Sequence, residues 1–142
     1  MIQFTSHSTA DTEKFAAQFA KKLRAGDIIA CRGGMGAGKT AFARGLASGL
    51  GLKDNVSSPT FALVHEYTRG SIPLFHFDMY RVTSFDELYS TGFFDYLSQD
   101  GILLIEWSEN IDSALPEHTI YLTISRIDDD TRDIKIKGDE RF

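Results

Sequence analysis

Gly33-Gly34-Met35-Gly36-Ala37-Gly38-Lys39-Thr40 satisfies G-x-x-x-x-G-K-S/T at every fixed position. The apolar run Ile28-Ile29-Ala30-Cys31 leads into it, and Thr40 to Leu50 has helical composition, closing near Gly51. A buried strand therefore enters the turn and a helix leaves it, which is the setting this motif needs. Consecutive backbone N–H groups must curl round a phosphate, and side chains would stand in their way, so glycines are required. The helix that follows aims its positive dipole end at the same anion. Lys39 supplies a fixed cation across the β- and γ-phosphates, and Thr40 offers a hydroxyl to Mg²⁺, an ion that keeps several waters and takes few protein ligands. The expected nucleotide-binding segment is Gly33, Gly34, Met35, Gly36, Ala37, Gly38, Lys39, Thr40 and Ala41. No N-K-x-D tetrad is present to read guanine, so ATP with Mg²⁺ is the expected ligand.

Outward from the loop, the chain reads as one α/β domain over residues 1–142, with a mixed, mainly parallel sheet flanked by helices in the manner of P-loop NTPases. Residues 1–5 suit a short strand. Ser8 or Thr9 can cap a helix carrying Asp11 in its first turn. Phe15, Phe19 and Leu23 mark its apolar face, Lys21, Lys22 and Arg24 complement its C-terminal dipole, and Gly26 stops it. Phe61–Tyr67 and Ile72–Asp78 suggest a hairpin around Arg69-Gly70-Ser71. Asp86–Tyr89 suggests the start of a short helix. Ile102–Ile105 is a continuous apolar run expected of a parallel core strand, and the alternation at Ile120, Leu122 and Ile124, then Ile134 and Ile136, suggests a terminal hairpin with one wet face.

Ligands of such sheets collect at the carboxyl ends of the strands. Two of those ends carry an acid: Glu106 after Ile102–Ile105, and Asp78 after Leu74-Phe75-His76-Phe77. One carboxylate can hold Mg²⁺ and the other can orient the attacking water; alternatively each is a solvated strand end or an ion pair, such as Asp78 with Arg81. His76 shares a strand face with Asp78 and reads as a core or hydrogen-bonded histidine. His7, His65 and His118 have no metal-ligand spacing with one another or with Cys31. Cys31, the only cysteine, reads as a small buried hydrophobe. Trp107 and Phe93-Phe94 suit either a partner surface or ordinary packing.

The net charge of −5 opposes independent binding to DNA or RNA. No apolar stretch is long enough for a membrane span and no secretory signal is visible, so a cytoplasmic location is expected.

Taken together, the loop, Ser58-Pro59-Thr60-Phe61 with Leu63 and Glu66-Tyr67, then His76-Phe77-Asp78-Met79-Tyr80-Arg81 and Ile105-Glu106-Trp107 resemble the TsaE family in order and spacing over roughly residues 5–125. The resemblance implies an ATPase serving the synthesis of threonylcarbamoyladenosine in tRNA, acting with TsaB and TsaD, with tRNA met only through that complex. It implies Mg²⁺ contacts at Thr40 and Glu106, catalysis by Asp78 and Lys39, and a γ-phosphate-sensing segment at Ser58-Pro59-Thr60, with Thr60 in contact. Family members often carry an acid at the position of Gly34 and leucine at that of Met35; neither site needs a particular side chain. A small-molecule kinase of the shikimate kinase type has a similar loop, but the arginines here, from Arg24 to Arg141, are scattered and no basic lid interrupts the core strands. A third possibility is a nucleotide-gated binding module with negligible turnover, in which residues 55–67 answer to ATP.

Overall fold

A computed structural model describes residues 1–32, 38–56 and 64–142. Seven strands form one sheet in the order β1-β7-β6-β2-β5-β4-β3. They are β1 Ile2–Ser6, β2 Ile28–Arg32, β3 Val64–Tyr67, β4 Leu74–Asp78, β5 Ile102–Glu106, β6 Ile120–Arg126 and β7 Arg132–Lys137. The four central strands, β6, β2, β5 and β4, run parallel. The β3–β4 and β6–β7 pairs and β1 against β7 are antiparallel. The sheet is thus parallel in its middle and closed at both margins by antiparallel strands, and both expected hairpins are present.

Helices α1 (Thr9–Ala20) and α2 (Lys39–Gly49) cover one face. Helices α3 (Phe85–Ser90) and α4 (Phe93–Leu97) and a 3₁₀ segment, Ser108–Ala114, cover the other. Strand periodicity assigns the faces. Ile29, Cys31, Leu74, Ile102 and Leu104 pack with Phe19, Phe42 and Leu46 of the α1–α2 layer. Their neighbours Ile28, Phe75, Phe77, Leu103 and Ile105 pack with Leu88, Phe93 and Ile111 on the opposite side.

The start of α1 is a reciprocal cap: Ser8 Oγ accepts the N–H of Asp11 at 3.0 Å, and Asp11 accepts the N–H of His7 at 3.1 Å. Its end differs from expectation. The helix closes at Ala20 with Lys21 as its cap, so Lys22, Leu23 and Arg24 lie beyond it. Gly26, with φ +94°, serves instead the turn into β2. Arg24 and Asp27 explain the early stop: the Asp27 carboxylate accepts the N–H of Arg24 at 2.8 Å and replaces a helical partner.

Helices α1 and α2 meet backbone to backbone. A Cβ at Gly45 would lie 2.2 Å from the carbonyl oxygen of Glu13, and one at Gly49 would lie 2.3 Å from that of Ala17. Only hydrogen fits at these two positions, and the seam fixes where the N-terminal end of α2 stands against the sheet.

Candidate functional site

Gly38 caps α2 in the left-handed conformation, φ +96° and ψ +20°, and offers no side-chain cap. The early N–H groups of α2 therefore have no side-chain acceptor at the cap, and the dipole makes that end attractive to an anion. Lys39, the first helical residue, is 9 % exposed, and Thr40 beside it is half-buried. Ala41 is buried behind them. Gly33, Gly34, Met35, Gly36 and Ala37 lie outside the described residues, as do Ser58, Pro59, Thr60, Phe61 and Leu63.

The strand ends bring the two acids together. Cys31 of β2 pairs in register with Glu106 of β5, and Glu106 pairs with Asp78 of β4. These three residues form one row across the sheet, and their parity places them on the α1–α2 face. Two carboxylates in adjacent register positions repel each other, so this row calls for positive partners. Glu106 is 7 % exposed, and its Oε2 lies 2.6 Å from Nε2 of His76, which is fully buried. Asp78 Oδ1 accepts the backbone N–H of Tyr80 at 2.9 Å. Among the described residues Asp78 forms no ion pair with Arg81, whereas Glu106 is paired with His76.

Cys31 is the inert hydrophobe expected from its surroundings. Burial pushes its thiol up to about 12, and the nearby Lys39 ammonium offsets this only in part, while Glu106 adds to it. Such a thiol stays protonated at neutral pH and is a poor nucleophile.

Trp107 has φ +57° and ψ +41°, the only positive φ outside glycine among the described residues. For a bulky residue this is an outlier. The conformation sets the indole under the site. Lys39 Nζ lies 4.7 Å from its ring centroid, and the Tyr80 ring packs at 4.9 Å. Asn110 Nδ2 donates to the carbonyl of Met79 at 2.8 Å and tethers the turn after Asp78 to the 3₁₀ segment. Phe93 is fully buried and half-buried Phe94 packs against the same core, so ordinary packing accounts for Phe93.

A small cleft of about 60 Å³ adjoins the N-terminal end of α2. It lies between Ser8 and Thr9 at the start of α1, Gly38 and Ala41 at the start of α2, Asp129 in the β6–β7 turn and Arg132 at the start of β7. Local patterns read Ser8 as a cap; nothing local joins it to a segment some 120 residues away.

A family model described as "Threonylcarbamoyl adenosine biosynthesis protein TsaE" matches residues 6–134. The chain belongs to the TsaE family. It is 41 % identical over 121 residues to the tRNA threonylcarbamoyladenosine biosynthesis protein TsaE of Bacillus subtilis (strain 168), covering 85 % of this chain and 73 % of that one. The TsaE of Treponema pallidum (strain Nichols) is 34 % identical, covering 95 % of this chain and 99 % of the relative. The fold likewise matches the crystal structure of Bacillus subtilis YdiB with a TM-score of 0.80 at 32 % identity, covering 96 % of this chain and 84 % of that one. The TsaE resemblance read from the motifs and the mixed sheet expected from them are thus both borne out. Among the described residues no helix is long and apolar enough to cross a membrane.

Proposed function

We propose that this protein binds ATP with Mg²⁺ at the N-terminal end of α2 and hydrolyses it in support of threonylcarbamoyladenosine formation in tRNA, acting with TsaB and TsaD. One observation carries the reading: Gly38, Lys39 and Thr40 begin a helix on the sheet face where Glu106 and Asp78 stand side by side. The relatives' names support the pathway. The acidic net charge supports contact with tRNA through partners rather than directly.

The donor set fits the ion. A hydroxyl and a carboxylate are hard oxygen ligands, and a phosphate-bound Mg²⁺ needs only one or two of them. Thr40 and Glu106 would hold it, and when bound it neutralises charge on the phosphate oxygens. The N–H groups of α2 and the Lys39 ammonium bind the terminal phosphates. Trp107 holds that ammonium on one side and leaves its N–H donors for the anion. The backbone N–H of Tyr80 fixes the rotation of Asp78, whose carboxylate orients the attacking water and accepts hydrogen bonding from it.

Calorimetry and phosphate release test this together. Lys39→Ala is expected to abolish measurable ATP binding, since each charge-assisted bond it makes is worth about 1.5–3 kcal/mol. Asp78→Asn is expected to keep ATP affinity and lose most phosphate release, measured with TsaB and TsaD present. Wild-type affinity in the first variant or wild-type turnover in the second refutes the corresponding role.

A further inference from the structure

Register places His76 level with Leu104 and Asp78 level with Glu106, so His76 stands one step back from Glu106 on the neighbouring strand. Both side chains point to the α1–α2 face, and the imidazole reaches diagonally forward to the carboxylate at 2.6 Å. In the Nε2–H tautomer this contact is a hydrogen bond donated by the ring to the carboxylate oxygen. The other ring nitrogen, Nδ1, is buried and has no hydrogen-bond partner among the described residues, which suits the bare acceptor nitrogen of the Nε2–H tautomer. A fully buried polar ring that satisfies only one of its two nitrogens contributes little as core filling. Leucine or phenylalanine would pack β4 without leaving a polar atom unpaired. The bond that the ring does make ends on Glu106, the acid on the strand next to β2.

We infer that His76 is a positioning residue for Mg²⁺: by donating Nε2–H to Oε2 of Glu106 it fixes the carboxylate's rotation and leaves Oε1 to face the ion. The inference rests on the proposed role of Glu106. Without that bond the carboxylate would rotate freely about its side-chain torsions, and its second oxygen would have no fixed direction. Hydrogen bonds to a metal-binding group from the shell behind it commonly govern metal affinity by about 10–100-fold.

The test compares ADP binding by calorimetry in EDTA and in Mg²⁺ for the unaltered chain and for His76→Leu, His76→Asn, His76→Gln and Glu106→Gln. The side-chain amide of Gln reaches the place of Nε2 and can donate to Glu106, whereas that of Asn reaches only as far as Nδ1. In EDTA the His76 variants are expected to bind ADP within about twofold of the unaltered chain. The Mg²⁺-dependent gain in affinity should fall by about 10–100-fold in His76→Leu and His76→Asn. His76→Gln should recover it to within about threefold. Should His76→Leu fail to fold, the Asn–Gln contrast decides alone. An undiminished Mg²⁺ gain in His76→Asn overturns the inference. So does a loss in EDTA as large as that in Mg²⁺ with no recovery in His76→Gln, which would mark a purely structural residue. A full Mg²⁺ gain in Glu106→Gln instead removes the metal role of Glu106, and the positioning role falls with it.

Discussion

Trp107 allows its backbone and its ring to be tested separately. Compare Trp107→Ala with Trp107→Gly. Both remove the indole, so the lost packing against Tyr80 and Lys39 cancels between them. What remains is the backbone at φ +57° and ψ +41°. A left-handed conformation costs an L-residue about 1–2 kcal/mol, and glycine escapes this cost. Glycine's greater freedom in the unfolded chain returns about 0.5–1 kcal/mol of that advantage. The glycine variant should therefore be more stable than the alanine variant by about 0.5–1 kcal/mol, or roughly 1–4 °C in Tm for a domain of this size. Thermal unfolding followed by circular dichroism measures the difference. An alanine variant that melts at or above the glycine variant refutes the strained backbone. The ring is read out by calorimetry with ATP. A cation–π contact is worth about 0.5–2 kcal/mol, so both variants should lose roughly 2- to 30-fold in affinity by the same factor, and Trp107→Phe should lose less. Equal affinity in all four proteins would show that the indole does not hold Lys39 for the phosphates.

Gly45→Ala should destabilise the chain by about 1–3 kcal/mol in urea unfolding despite alanine's better helix propensity, because the new methyl meets the Glu13 carbonyl oxygen and the Ala16 methyl; a gain in stability would refute the tight seam. Cys31, with its thiol pushed up to about 12, should react with a disulfide reagent at pH 8 only as fast as the chain opens, and reaction should accelerate as urea is added. Since unfolding returns that thiol to its ordinary range, stability should also decline as pH rises above about 9. The Arg141 guanidinium holds the Asp139 carboxyl down at about 2 through hydrogen bonds, helped by the Arg141 backbone N–H. Its folded value lies below its unfolded one, so its contribution is present above about pH 4 and is lost as pH falls toward about 2. The stability difference between the unaltered chain and Asp139→Asn should therefore shrink between pH 5 and pH 2.5, and a constant difference would refute the assignment.

Much of this molecule is legible in its sequence because the informative signals are local. Ile28–Cys31 and Ile102–Ile105 read as buried parallel strands because they are apolar on both faces, and in the structure each lies between two helical layers. Ser8 is legible as a cap because the acceptor it needs, the N–H of Asp11, is three residues away. That Glu106 and Asp78 end neighbouring strands on the same edge of the sheet is legible because strand ends point one way in a parallel sheet. What escapes is whatever depends on register or on long separations. The early end of α1 is set by Asp27, which competes for the N–H of Arg24. The short helix α4, with Gly92 in the left-handed conformation before it, has no apolar period long enough to detect. The bond from His76 to Glu106 joins residues 30 apart and follows only once β4 is known to lie beside β5 in this register. The cation–π contact of Lys39 needs the unusual backbone of Trp107, which no propensity scale anticipates.

The missing side chains at Gly45 and Gly49 have one more effect. With nothing but hydrogens between them, the two helical axes cannot slide or part without losing contact along their whole shared length, so the amide donors that begin with Lys39 are held in place by packing alone. In the proposed function that helix end would bind phosphate with little deduction for ordering its own backbone, and a bulkier residue at Gly49 would weaken that binding from more than two helical turns away.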